Sequence, residues 1–270
     1  MRILVINPFG GTEVFGRDNL ARVARPDTEF EIVNIGEQYP LTNNQWLYFR
    51  HECINYTIER ALQAEREGYD AVFLSCQLDV GLYECRQLLS IPVTGTLEAA
   101  ALLAYQMGRS FSLLSVDYQN GQIQKMLLDL YGLSGKLASV RPFDIDANDL
   151  YPDRTPPTDV IAKVVATARR CVEEDGAEAL IPGCTLAGSV LTHQGAEAMR
   201  EAGAPIIDGM LAGFKQAEMW ADLARAGLPP VSRRGFFEQP PASEYDRLRR
   251  TIGKDATPLR DGRTTPVGVS

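Results

Sequence analysis

The chain has 270 residues, 45% apolar and 23% charged, a balance that excludes a disordered or fibrous protein and suits one large domain or two small ones. A formal net charge of −8 excludes a general nucleic-acid binder, whose phosphate contacts need a basic face, but not a site for a small anion. The apolar run in MRILVINPFGG is too short for a secretory leader, and the stretch from Ile91 to Met107 is interrupted by Thr94, Gly95, Thr96 and Glu98, so a cytoplasmic protein with no membrane partner is expected.

Residues 2–6 (RILVI) read as a buried parallel strand, and Asn7-Pro8-Phe9-Gly10-Gly11-Thr12 as the loop at its carboxyl end, where open α/β sheets bind ligands. The doubled glycine would let backbone N–H groups approach an anion or would simply make a tight turn; no nucleotide-binding glycine motif is present. A second strand is predicted over 30–35. A helix over 45–67 follows, with Trp46, Phe49, Cys53, Ile54, Ile58, Ala61 and Leu62 on its apolar face, and Gly68 stops it. The 39–48 region carries no readable substrate signal.

AVFLS then delivers Cys76 into the polar loop QLDVG, a short helix carries Leu82, Cys85, Leu88 and Leu89, and Ile91-Pro92-Val93 forms a fourth strand. The pattern begins again with FSLL over 111–114 ending at Ser115, a helix from about Gln119 to Leu130, and a strand near 137–143. Thr158 is placed to cap a helix whose apolar face holds Val160, Ile161, Val164, Val165, Ala168, Cys171 and Val172. EALIPGCTLAGS over 178–189 then delivers Cys184 much as the earlier strand delivers Cys76.

This alternation is an internal repeat. REGYDAVFLSC (66–76) superposes on EDGAEALIPGC (174–184), and the same 108-residue offset lays RILVIN on SFSLLS, so that Asn7 corresponds to Ser115. IPVTG with its Ala-rich helix resembles APIIDG followed by MLAGFKQA, after a small length change. Two equivalent βα halves imply a pseudo-two-fold axis that sets Cys76 and Cys184 facing each other across a cleft.

Five cysteines in a reducing compartment are expected as thiols, and two histidines without CxxC or Cys/His spacing argue against a metal site. Cys53, Cys85 and Cys171 lie on helical faces and read as core. Cys76 and Cys184 stand at strand exits, each ahead of a candidate helix that begins after LDVG or TLAG and whose N-terminal dipole would lower the thiol pKa. Ionising one thiol opposes ionising the other, so the pair would rest as one base and one acid, suited to inverting a carbon acid.

From about Pro229 the composition turns to Pro, Arg, Ser and Thr, with eight Lys/Arg against five Asp/Glu, a segment expected to wrap a surface or a neighbouring subunit. A homo-oligomer is expected on that ground.

On RILVINP, SCQLDVGL, IPVTGTLEAA, FSLLS, IPGCTLAG and PIIDGMLAGFKQAE, the chain resembles the aspartate/glutamate racemase superfamily over roughly residues 1–228, and within it the hydantoin racemase branch. The resemblance implies an α/β fold of two pseudosymmetric Rossmann-like domains with parallel sheets and an active site in the cleft between them. Residues 1–95 plus 208–228 would form the first, discontinuous domain, 96–207 the second, and 229–270 a C-terminal extension. It implies no cofactor, no metal and a small-molecule substrate. Cys76 and Cys184 would be the acid/base thiols, with Asn7, Ser75, Gln77, Ser115, Gly183 and Thr185 holding substrate oxygens.

Amino-acid racemases of the superfamily typically carry Asp in the first loop and His shortly after the second cysteine, where this chain has Asn7 and Leu186. Less charge assistance suggests a more acidic carbon, such as that of a 5-substituted hydantoin or allantoin. Phe9-Gly10 departs from the Asn-Thr usual in the hydantoin branch. A maleate-type cis-trans isomerase with a nucleophilic cysteine and a non-catalytic binding relative are the competing readings.

Overall fold

The computed structural model describes residues 1–9, 13–35, 46–254 and 259. The Gly10-Gly11-Thr12 part of the first loop, residues 36–45 and most of the C-terminal end lie outside the described residues.

Strands β1 (Arg2–Asn7), β2 (Glu29–Asn34), β3 (Ala71–Leu74) and β4 (Val93–Gly95) form one sheet in the order β2-β1-β3-β4, with every pairing parallel. Strands β5 (Phe111–Ser115), β6 (Leu137–Pro142) and β7 (Ala179–Pro182) form a second parallel sheet in the order β6-β5-β7, extended by a bridge from Leu180 to Ile206. Burial on both faces explains the unbroken apolar runs of β1, β3, β5 and β7.

The repeat read from sequence is realised residue by residue. Ile3, Leu4, Val5 and Ile6 pair with Ala71, Val72, Phe73 and Leu74, while Phe111, Ser112, Leu113 and Leu114 pair with Ala179, Leu180, Ile181 and Pro182, the same register 108 residues on. Beyond the strands, Ser75 N–H donates to Ile6 C=O at 2.8 Å and Gly183 N–H to Leu114 C=O at 2.7 Å, again an equivalent pair. Gly68 and Gly176, one offset apart, both take left-handed backbone where a helix must turn into a strand.

The helices are α1 (Glu13–Val23), α2 (Leu47–Arg66), α3 (Leu82–Leu88), α4 (Thr96–Met107), α5 (Tyr118–Tyr131), α6 (Pro157–Asp175), α7 (Thr185–Gln194), α8 (Ala196–Arg200), α9 (Gly209–Arg225) and α10 (Ala242–Thr251). Helix α8 occupies the length change between the halves. On α2, Cys53, Ala61 and Leu62 are buried as expected, but Trp46 is half exposed at the N-cap. Pro156, not Thr158, stands at the N-cap of α6, because Pro157 supplies the fixed φ of a first helical residue and Thr158 falls inside the helix.

In the first sheet Leu4, Ile6, Val72 and Leu74 pack on α2 and α3, and Ile3, Val5, Ala71 and Phe73 on α1 and α9. In the second, Leu114 and Leu180 meet α6 and α7, while Phe111, Leu113, Ala179 and Ile181 meet α4 and α5. Two helices therefore change sides: α4 leaves the first sheet and packs on the second, and α9 does the reverse. They cross against each other. Small residues permit the contact, since a Cβ on Gly209 of α9 would stand 2.8 Å from the Thr96 side chain of α4, and one on Gly213 would run into the Phe73 ring of the first sheet.

The described part of the chain after Pro229 lies on the protein's own surface and includes α10. Arg233 donates to the carbonyls of Arg86, Gln87 and Leu89, closing the C-terminal end of α3, and Arg249 pairs with Glu59 of α2. Among the described residues no helix is long and apolar enough to cross a membrane.

Candidate active site

Both cysteines stand just past the carboxyl ends of their strands, β3 and β7, the end at which parallel sheets bind ligands. Cys76 opens a turn in which Asp79 N–H donates to the Cys76 carbonyl at 2.9 Å and Leu78 N–H points at Sγ at 3.4 Å. Helix α3 begins only at Leu82, after LDVG. Cys184 differs. It is itself the N-cap of α7, which starts at Thr185 rather than after TLAG, so its thiol stands at the helix's first turn, whose N–H groups favour the thiolate.

The two thiols feel each other. Burial pushes Cys76 up to about 12, and the Cys184 and Asp79 charges oppose its ionisation further, while Leu78 N–H and Arg50 work the other way. Burial also raises Cys184, against the two helix N–H groups that favour its thiolate. The expected lowering by a helix N-terminus is therefore overturned: desolvation outweighs the dipole for both thiols, and only Cys184 sits in the first turn where that dipole is strong. Cys53, Cys85 and Cys171 are buried within the helix packing, as their apolar faces predict.

The residues proposed to hold substrate oxygens divide into three kinds. Ser75 and Ser115 are fully buried at strand exits, and neither hydroxyl has a hydrogen-bond partner among the described residues. Gln77 and Gly183 hold the cysteine loops together: Gln77 Nε2 donates to Pro182 C=O at 2.6 Å, and Gly183 C=O accepts from Gln124 Nε2 at 2.5 Å. No side chain fits at 183, where a Cβ would lie 2.8 to 2.9 Å from Gln124, Leu114 and Ser115. Asn7 is occupied locally, donating to Asn34 at 2.9 Å and accepting from Phe9 N–H at 3.2 Å, and Thr185 is the buried first residue of α7.

Four further residues reach this region unpredicted. Gln124 clamps Gly183; Arg50 Nη2 donates to Leu78 C=O at 3.2 Å; Tyr151 lies near enough for a Cys184 charge to raise its pKa, after burial; and Asp79 is buried beneath the Cys76 turn. The N-cap of α4 is Gly95, which has no side chain to cap the helix, so the sequence leaves that cap unassigned without naming Asp79. Leu186 is buried among apolar residues, and His193 lies further along the same helix, stacked on Phe15 at 4.6 Å. Among the described residues no cluster of His, Cys, Asp and Glu could hold a metal ion.

Two parallel sheets in one repeated register, each with a cysteine in the loop after one of its strands, define a pseudosymmetric α/β architecture. The chain matches the Asp/Glu/Hydantoin racemase family over residues 3–217 and belongs to it. It is 30% identical over 259 residues to a hydantoin racemase from Pseudomonas sp. (strain NS671), covering 95% of this chain and 99% of that one. Among solved structures it is similar to an allantoin racemase from Pseudomonas fluorescens, 26% identical with a TM-score of 0.76 over 89% of this chain and 97% of that one. An allantoin racemase from Klebsiella pneumoniae is 25% identical, with a TM-score of 0.74 over 89% and 94%.

Proposed function

We propose that this protein is a cofactor-independent racemase that inverts the acidic ring carbon of a 5-substituted hydantoin or of allantoin by proton transfer between Cys76 and Cys184. The observation that carries the reading is the common register: the same 108-residue step relates the strands that end at the two cysteines, so the two halves deliver their thiols in equivalent ways. The domains would be 1–95 with 208–228, and 96–207, with the cleft between them as the site of reaction.

Two buried thiols that repel each other's charge share at most one negative charge. Cys184 takes it, because it stands at the N-cap of α7, whose first-turn N–H groups favour its thiolate, whereas α3 begins only at Leu82, well after Cys76. The Cys184 thiolate removes the ring-carbon proton, and the electron pair moves onto the neighbouring carbonyl as an enolate. Cys76 then gives its proton to the opposite face and becomes the thiolate. The mirror-image substrate runs the same steps with the roles exchanged. The unpaired hydroxyls of Ser75 and Ser115 are suited to receive the enolate oxygen.

Hydantoin-like substrates fit the departures from the amino-acid racemases. A neutral Asn7 already bonded to Asn34 and an apolar Leu186 give little charge assistance, so the carbon must be acidic in its own right.

The test is incubation of single enantiomers of allantoin and of 5-substituted hydantoins in deuterated water with wild type, Cys76→Ser and Cys184→Ser, following optical rotation and deuterium uptake. Wild type racemises with exchange, and each variant loses roughly 10²- to 10⁴-fold in racemisation, the range of general acid/base catalysis. A variant that racemises at the wild-type rate would remove that thiol from the mechanism. Turnover of a dicarboxylic alkene with a covalent adduct on one cysteine would replace proton transfer by addition.

A further inference from the structure

Helix α4 has no cap of its own. Its N-cap position is Gly95, and the following Thr96 turns its hydroxyl away to the Leu74 carbonyl at 2.8 Å. A carboxylate from the Cys76 loop fills the place: Asp79 accepts the Leu97 N–H at Oδ1 and the Glu98 N–H at Oδ2, both at 2.9 Å. The Tyr131 hydroxyl, from α5 on the second sheet, donates to Oδ2 at 3.1 Å. Asp79 reaches this position with φ of 40°, a left-handed conformation that a non-glycine residue holds only when its surroundings fix it. Gly95 supplies the room, since a Cβ there would stand 2.6 Å from the Asp79 carboxyl.

The second half meets the same need in another way. Asp208 is itself the N-cap of α9, accepts Met210 N–H at 2.9 Å, and receives the Thr192 hydroxyl at 2.7 Å. There the carboxylate sits on the crossing helix, and the Cys184 loop is free of it. In the first half it sits three residues after the thiol, in a turn whose N–H is bonded to the Cys76 carbonyl.

We propose that Asp79 is a positioning residue for Cys76: its carboxylate fastens the thiol's turn to the N-terminus of α4 and, through Tyr131, to α5 on the second sheet. Cys76 is thereby held by the half of the molecule that carries Cys184. The catalytic consequence rests on the two-thiol reading; the anchoring of Cys76 does not.

The experiment uses the full-length protein with Asp79→Asn, which can offer one acceptor where the helix needs two, and Gly95→Ala, which keeps the carboxylate and its charge but displaces it. Tyr131→Phe is a milder third variant that removes one hydrogen bond and keeps the ring. Iodoacetamide labelling of Cys76 and Cys184 is followed by peptide mass spectrometry. Cys76 labelling rises by about tenfold in Asp79→Asn and Gly95→Ala, the scale of a local opening, and by less in Tyr131→Phe, while Cys184 stays at its wild-type rate. With an active hydantoin, the enantiomer whose proton faces Cys184 continues to exchange deuterium while its racemisation falls by about tenfold or more, because reprotonation from the Cys76 side fails. Unchanged Cys76 labelling, or equal rises at both thiols, overturns the proposal. Selective Cys76 labelling in a protein whose wild type racemises no carbon acid supports the anchoring and overturns the racemase reading.

Discussion

Gln77 reaches out of the Cys76 loop and donates its side-chain amide to the carbonyl of Pro182, two residues before Cys184, at 2.6 Å in a fully enclosed position. The two cysteine loops are thus joined by one hydrogen bond. Gln77→Leu should cost about 1–3 kcal/mol, the penalty for stranding a buried carbonyl. Gln77→Glu should cost more, since it sets a carboxylate against that oxygen. Urea unfolding of the two variants against wild type gives the order directly.

The racemisation rate should climb with pH above neutrality. Burial raises both thiols, Cys76 to about 12, so near pH 7 only a small fraction of molecules hold the one thiolate the reaction needs. Measured from pH 6 to 10 with the uncatalysed rate subtracted, kcat/KM should increase through the alkaline range, with no optimum below pH 7.

Asp79 ties stability to pH in the opposite sense from an ordinary surface carboxylate. Burial raises it from 3.8 to about 6, helped by the Glu98 charge and opposed by the α4 N–H groups and the Tyr131 hydroxyl; Arg50, Arg86, Tyr83 and Cys76 are further charged or titratable neighbours. A folded-state value above the unfolded one gives stability that is fully present below about pH 3.8 and lost as pH rises through about 6. A shift of roughly two units at about 1.4 kcal/mol each amounts to about 3 kcal/mol. Denaturant midpoints of Asp79→Asn should therefore fall less than those of wild type between pH 4 and pH 7.

Much of this arrangement was legible from the chain alone. The 108-residue offset between REGYDAVFLSC and EDGAEALIPGC became the pairing register of both sheets, because a strand's register is fixed by which residues must face the core. The helix starts at the cysteines were less legible. TLAG and LDVG look alike, but Gly81 and Asp79 take left-handed backbone and delay α3, whereas Thr185 enters α7 at once. Asp79 was hidden because its partners, Leu97 and Tyr131, lie 18 and 52 residues away in the chain, beyond any local capping pattern.

Gly213→Ala should destabilise the protein by about 1–3 kcal/mol through overpacking, as the new methyl meets the Phe73 ring on the face where α9 crosses the first sheet. Thermal melting supplies the measurement. Phe73→Leu in the same chain should recover part of the loss by opening the space.

That crossing makes the molecule an interlocked joint rather than a hinge. Each half lends the other a helix, α4 covering Phe111 and Ile181 and α9 covering Ile3 and Phe73, so drawing the halves apart would strip both cores at once. The spacing of the two sheets is then set by how closely α4 and α9 lie against each other.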